Sequence, residues 1–411
     1  MRILFALHGY KPAHRIGGPI ISVSSLAETL VRKGHQVTVF TTNSNLDQNL
    51  DVPTNQPIDV DGVEVWYFHR EEYARRWLKF SPYWAKSMGF LFCPEMPEQL
   101  DRLVPAMDLV HTHLPFIYPT FAAARAAKKH GKPLFYNQRG VFDPARLQFR
   151  ALKKYLYILA VERPILKQAT TLIALTPAEV ESYRRLKVDT PCRIIPNGIE
   201  ASAYPQVPRT RTFPQWNITD QSQVILFLGR VHPVKGAARL LEAFLRIQNS
   251  IPRAVLVLAG PDEFGLERQF KERVDREGLR HRVVFPGMVS GADKLDLLAR
   301  CDLFCLPSDA EGFSMAVLEA LASGTPVILS PGCHFPEVET AGAGRVTDPA
   351  PQPLGETLRE LLSRPETLAG MGLRAVKLVR DFYQWDRIAD QMLAAYEEGI
   401  ARHRRRKVDA T

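Results

Sequence analysis

No stretch of the 411 residues approaches the ~20 consecutive apolar residues that a helix needs to cross a bilayer. Cysteine is scarce: the five present are an odd number without the paired spacing of a metal knuckle, and Cys301 and Cys305 fall in one predicted strand. That argues against a disulfide framework and against structural zinc, and for small core residues in a reducing compartment. The first strand-like run, RILFAL, is not followed by G-x-G-x-x-G, so the dinucleotide fingerprint is missing. The opening MRILFALHGYKP lacks the longer apolar region and small-residue cleavage site of a secretory leader and reads as a first strand; a cytoplasmic location is expected. In that setting the glycosylation sequon at Asn217 is incidental. Acidic residues are outnumbered, 44 against 53 basic, for a formal charge of +9. That surplus favours anionic partners, whether nucleic acid, acidic lipid or phosphorylated small molecules, without choosing among them.

The 45% hydrophobic content suits a large core and two or three domains. RILFAL, HQVTVFTT, DLVHTH, PLFYNQ, TLIALT and RIIP alternate with helical stretches, the first from about Pro19 to Lys33, which predicts a parallel sheet covered on both faces. TPAE at Thr176 to Glu179 forms a capping box with Pro177 at the first helical position. From 199 to 223 the pattern lapses into a polar, proline-rich stretch that reads as a linker, and alternation restarts with VILFLG, AVLVLAG, VVFPG, LFCLP and PVILS. The expected organisation is therefore a first domain over 1–198, a linker over 199–223, a second domain over 224–379, and a helix with a basic tail over 380–411 that could pack on either domain. Both domains read as doubly wound α/β sheets, whose ligands bind beyond the strand C-termini.

The chemistry is concentrated at those strand ends. In EGFSMAVLEALASGTPVI, Glu311 and Glu319 have seven residues between them in an otherwise small and apolar run. Gly312 permits a turn, Ser314 is placed to cap a helix from Met315, and Gly324 with Pro326 ends it. Glu319 then lies inside a helix with no other charge, and a carboxylate in such surroundings calls for a specific partner. In GRVHPVKG, Arg230 and Lys235 occupy a loop between a strand end and a helix, a setting that suits a phosphate or diphosphate. Gly17, Gly18 and Pro19 form a comparable turn in the first domain. His111 and His113 share one side of their strand, His113 nearer its C-terminal end. A third ligand for zinc is missing, so His113 reads as a contact to substrate and His111 as structural. The triplet DVD at Asp59 to Asp61 precedes Gly62 and reads as turn chemistry rather than a metal motif. The basic and aromatic stretch from Arg70 to Lys86 and the tail RHRRRK suggest contact with an acidic membrane surface, against a packed insertion and a disordered end.

Taken together, GGP, HTH, IIPNGIE, GRVHPVKG and the E-x7-E run resemble the retaining glycosyltransferases of family 4, and RGVFDP from Arg139 resembles a subgroup that builds surface polysaccharides on lipid-linked acceptors. The resemblance implies the GT-B fold, two facing Rossmann-like domains, and transfer of a hexosyl unit from a nucleotide-diphosphate sugar to a glycan or lipid-linked glycan. It implies that Arg230 and Lys235 bind the donor diphosphate and that Glu319 holds the ribose hydroxyls. Glu311 would contact the donor sugar, and the amides around Gly312, Phe313 and Ser314 the phosphates. Gly18 would approach the diphosphate, Met288 and Leu318 would line the donor site, and His113 would touch the sugar near the reacting carbon. The implied front-face route keeps the anomeric configuration without a general base, and it needs neither a metal nor another cofactor. A protein at the inner face of a membrane, with no nucleic-acid partner, is expected. Two alternatives stay open: an epimerase or hydrolase of nucleotide sugars on the same fold, and a non-catalytic binder of anionic ligands.

Overall fold

The computed structural model describes residues 1–13, 17–45, 48–70, 91–148, 151–204 and 212–408. They fall into two units, Met1–Asn197 with Trp385–Thr411, and Gly198–Gln384. The first unit is built on an eight-stranded sheet. In spatial order its strands are Cys192–Ile194, Thr171–Ala174, Leu134–Asn137, Leu109–His113, Arg2–Ala6, Gln36–Thr42, Val63–Phe68 and Pro57–Val60. All neighbours run parallel except the edge hairpin of the last two. Alternation decides the two faces: Ile3 and Phe5 join one apolar cluster, Leu4 and Ala6 the other. Both sides are covered, as a parallel sheet requires.

The hairpin explains the acidic triplet. Asp61 and Gly62 both have positive φ, the signature of a tight primed turn, and the Gly62 amide donates to Asp59 Oδ1 at 3.2 Å. DVD is turn chemistry here, as its composition suggested. The stretch from Arg70 to Lys86 lies outside the described residues apart from Arg70, whose guanidinium bonds Asn49 Oδ1 at 2.6 Å and Ser44 Oγ at 2.9 Å.

The final helix, Trp385–Val408, belongs to the first unit, a choice the sequence left open. Trp385, Ile388, Met392 and Tyr396 join the cluster that holds Ile20, Val23 and Leu26 of the helix Gly18–Arg32. Burying side chains of this size contributes about 1.5–3 kcal/mol each. Gly399 lets the helix approach the sheet, since a Cβ there would come within 2.4 Å of Phe135 Cζ. The basic tail continues this helix to Val408 rather than forming a disordered end: Arg402 donates to the Thr170 carbonyl at 3.1 Å and Lys407 to the Gly131 carbonyl at 2.7 Å.

The second unit carries six parallel strands in the order Val283–Gly287, Ala254–Ala259, Gln223–Leu228, Leu303–Leu306, Val327–Leu329 and Gly344–Val346. The stretch 199–223, expected as a linker, is largely part of this body. Ile199, Phe213 and Ile218 are buried, and the Ile199 amide donates to the Tyr383 carbonyl at 2.7 Å. Apolar residues within a polar, proline-rich stretch tie it down. Cys301 precedes its strand, which begins at Leu303, and all five cysteines are free thiols. Among the described residues no helix is long and apolar enough to cross a membrane.

Candidate functional site

In each sheet one pair of neighbouring strands sends its following segments to opposite sides, leaving a crevice at the strand C-termini. In the second unit that switch point lies between Gln223–Leu228 and Leu303–Leu306. The loops leaving these strands are stitched together: the Asp309 amide and the Ser308 hydroxyl both donate to the Val234 carbonyl, at 2.8 and 3.0 Å. Gly236 makes this approach feasible. Its φ is +76°, and a Cβ would stand 2.1 Å from the Pro307 carbonyl oxygen. Lys235 is thereby delivered to Glu311, with Nζ 2.5 Å from Oε1. Glu311 is buried, and its amide donates to the Gly332 carbonyl at 2.8 Å. Gly332 is itself confined, because a Cβ there would lie 2.4 Å from the Asp309 carbonyl oxygen.

Glu319 sits in the helix Met315–Ala322 and is 4% exposed. Its Oε1 accepts from Lys294 Nζ at 2.8 Å and from the Tyr204 hydroxyl at 3.1 Å. Burial and the neighbouring carboxylate push the Tyr204 phenol far up, so it stays a donor. With both bonds on Oε1, Oε2 keeps its acceptor capacity for a further donor. Ser314 occupies the N-cap position but its side chain makes no capping bond, contrary to expectation. The first-turn amides of this helix thus have no side-chain acceptor from Ser314.

Other expected residues are placed differently. Arg230 is half exposed and pairs with Glu263, Nη1 to Oε2 at 2.8 Å, rather than joining Lys235 and Glu311. Phe313 is buried in an aromatic cluster, its ring centroid 4.9 Å from Phe335 and 5.6 Å from Tyr383, so its ring anchors the loop. Gly312 is buried beside it. Leu318, expected to line the donor site, is fully buried in the core, where the apolar face of its helix carries it. Met288 is exposed at the end of the edge strand Val283–Gly287, away from the switch point.

In the first unit the switch point lies between Arg2–Ala6 and Leu109–His113. Gly17, at φ +98°, is the N-cap of the helix Gly18–Arg32, and the turn carries no side-chain cap. The positive φ is needed at Gly17, while Gly18 is the first helical residue. His113 ends its strand fully buried, with its ring centroid 4.1 Å from that of His111. His111 Nδ1 lies 2.7 Å from the Tyr396 hydroxyl, which ties the ring to the final helix. Arg139 donates from Nε to His113 Nδ1 at 3.3 Å, which leaves the proton of His113 on Nε2. Among the described residues that Nε2 has no partner. Burial first, then His111 and Arg139, hold the pKa of His113 well below its ordinary value, so the ring is a neutral donor.

Arg139 is buried at φ +53°, and its Nη1 donates to Ser22 Oγ at 2.8 Å and to Asn197 Oδ1 at 3.1 Å. Burial lowers its pKa to about 10, with Glu179 acting in the opposite direction. The capping box near Glu179 is a variant of the expected one: the Glu179 amide donates to Thr176 Oγ1, while its own Oε2 accepts from the Leu175 amide at 2.8 Å.

Sequence reasoning missed Tyr204, Lys294 and Gly332, and it quoted Arg139 without assigning it a task. Lys294 follows no motif, and Tyr204 lies in a stretch read as linker. Only the unexplained single charge of Glu319 signalled that partners had to exist.

Comparison with known proteins gives this geometry a family. Residues 17–198 match the family described as glycosyl transferase 4-like domain, and residues 208–378 match glycosyl transferases group 1. Mannosylfructose-phosphate synthase from Agrobacterium fabrum is 26% identical, over 96% of this chain and 90% of its own. A D-inositol 3-phosphate glycosyltransferase from Kineococcus radiotolerans is 26% identical, over 93% and 91%. Among solved structures, sucrose-phosphate synthase from Thermosynechococcus elongatus superposes with a TM-score of 0.76 at 22% identity, covering 97% of this chain and 99% of that one. Anabaena HepE in complex with UDP and glucose gives 0.72 at 20%, covering 97% and 100%. The chain belongs to the group 1 glycosyltransferases of the family 4 type, nucleotide-sugar-dependent enzymes of the GT-B fold.

Proposed function

We propose that the chain takes a hexosyl unit from a nucleoside-diphosphate donor and passes it, with retention, to a glycan or lipid-linked glycan. The observation that carries this reading is the pairing of half-buried Lys235 with buried Glu311 at the switch point, at the mouth of a helix without a side-chain cap. An ammonium and first-turn amides suit a leaving diphosphate, and Arg230 in the same loop adds a second cation. Glu311 orients the donor sugar, and Glu319, held on Oε1 by Lys294 and Tyr204, turns Oε2 to the ribose hydroxyls. Gly18 opens a helix whose amides meet the diphosphate, and Met288, exposed beyond the edge strand two places from the switch point, meets the base at the far end of the donor. His113 offers Nε2–H to a sugar hydroxyl and, being held neutral, is not charged to repel the cation-like reacting carbon.

In the step itself, the bond from the anomeric carbon to the diphosphate oxygen breaks. The acceptor oxygen bonds to the same face, and its proton passes to the departing phosphate. Lys235 and the amides stabilise the charge that develops there, so the reading calls for no metal. The names of the relatives support it: a GDP-mannose-dependent phosphatidylinositol dimannoside mannosyltransferase of Mycobacterium tuberculosis, 27% identical over 54% of this chain, combines a nucleotide-sugar donor with a lipid acceptor.

Thermal unfolding with a panel of nucleoside diphosphates and nucleotide sugars, with and without Mg²⁺, tests the donor site, since a ligand that binds only the folded state raises its stability. Stabilisation by one nucleotide family without metal, lost in K235A, is expected. No response to any nucleotide overturns the donor reading, and sugar release that ignores the acceptor points to a hydrolase or epimerase.

A further inference from the structure

The segment that follows the short helix Pro144–Leu147 has an unusual face. The helix Ala151–Tyr157 buries none of its residues and runs on through the wider turn Ile158–Glu162 into Arg163–Gln168. Leu152, Tyr155, Leu156 and Leu159 are exposed at 72, 56, 56 and 39%. Their spacing of three, four and seven places them on one stripe. An amphipathic helix normally turns such a stripe to the core, whereas this one turns it to solvent.

The helix is held firmly from the other side. Glu162 is buried, and its carboxylate accepts from the Phe116 amide at 2.7 Å and the Tyr136 hydroxyl at 2.6 Å. The Tyr157 ring meets that of Phe116 at 5.5 Å. Phe116 lies three residues beyond His113, so the exposed stripe stands next to the strand ends of the first unit.

Charge selects the occupant. From Pro144 to Val161 the chain has Arg146, Arg150, Lys153 and Lys154 and no acidic residue. A second copy docking through the same stripe about a two-fold axis would bring these like charges together. An anionic bilayer surface complements them, with the leucines and Tyr155 entering the interface and exposed Lys153 meeting the headgroups, while Lys154, which donates to the Arg146 carbonyl at 2.6 Å, adds its charge from behind. We propose that the stripe Leu152–Tyr155–Leu156–Leu159 docks the enzyme on an anionic membrane surface. This rests on the reading that the acceptor is lipid-linked, and it assigns membrane contact to a surface other than the stretch from Arg70 to Lys86 or the basic tail.

The experiment is co-sedimentation of the full chain with phosphatidylcholine vesicles and with vesicles that also contain phosphatidylglycerol. It compares wild type, L152Q/L156Q and K153E/K154E, with circular dichroism to check folding. Wild type is expected to partition to the anionic vesicles, and each double variant about tenfold or more weaker, with the glutamine pair also losing insertion into the interface. Leu152, Lys153 and Leu156 are exposed and Lys154 is half-buried, and none of the four is assigned to the donor site, so nucleotide-induced thermal stabilisation should persist in both variants. Failure of wild type to bind, or undiminished binding by L152Q/L156Q, overturns the proposal. A change of L152Q/L156Q from dimer to monomer in light scattering also overturns it, in favour of an interface between copies. Failure of the donor reading would show instead as a missing nucleotide response with vesicle binding intact.

Discussion

At the strand ends of residues 198–384 carboxylates meet cations: Glu311 meets Lys235, Glu319 meets Lys294, and Glu263 meets Arg230. At the strand ends of the other unit the polar groups are buried and mostly uncharged. His113 and His111 are held neutral, Glu162 and Glu179 are pushed up to about 7, and Arg139 bonds His113, Ser22 and Asn197, all neutral. Both crevices arise from the same doubly wound topology. The difference shows that the topology supplies a place, while burial and pairing decide which charges can exist there. Paired cations and carboxylates suit a ligand that brings its own charge and displaces or joins a pair. Neutral donors suit hydroxyls.

The largest test of this contrast is at the paired end. E311Q should lower transfer by roughly a hundredfold or more while leaving nucleoside-diphosphate binding largely intact, because Lys235 remains to meet the phosphates. Initial rates and calorimetry check this, and unchanged transfer would remove Glu311 from the reaction. At the buried end, R139M should reduce transfer by about tenfold and let His113 adopt the other tautomer. Nitrogen-15 NMR of the imidazole reads that directly. If His113 keeps its proton on Nε2 in R139M, the arginine does not set the tautomer.

A third test uses the raised carboxyl of Glu179. Below pH 4.5 it is protonated in both folded and unfolded chains; between about 4.5 and 7 the folded chain keeps the proton and the unfolded chain loses it. Stability should therefore fall as pH rises through that window, by up to about 1.4 kcal/mol per pH unit from this group. E179Q should flatten that slope in pH-dependent thermal unfolding, and an unaltered slope would show that Glu179 ionises normally. The smallest effect is expected from Y204F, which removes one of two donors to Glu319 Oε1. Nucleoside-diphosphate affinity should weaken by about fivefold, from a loss of about 1 kcal/mol, with transfer at saturating donor preserved. Calorimetry that shows no change would leave Lys294 as the sole anchor.

The halves were also unequally legible in the sequence. Glu311 and Glu319 stand out because one turn and one helix carry both, and GRVHPVKG announces its loop within eight residues. Short-range spacing is enough when neighbouring positions on a single element do the work. The buried cluster has no such compactness: Ser22, His113, Arg139 and Asn197 come from four separate segments, and Arg139 reaches Ser22 across 117 positions. The same distance hid Tyr204, 115 positions from Glu319. Leu318 shows the complementary limit: it is fully buried, and proximity to Glu319 in sequence says nothing about which side of the helix faces the core.

What the sequence determined by itself is the pair of doubly wound sheets and the chemistry of the local loops, because strand alternation, turn glycines and helix starts are written in adjacent residues. Only the tertiary structure decided that the last helix joins the first unit and that the expected linker lies largely within the second. It alone settled that Lys294 and Tyr204 hold one oxygen of Glu319, and that an apolar stripe on Ala151–Tyr157 and the turn after it looks outward. Each of these depends on which surfaces are left to bury once the sheets have formed, and that is a property of the whole packed chain rather than of any stretch within it.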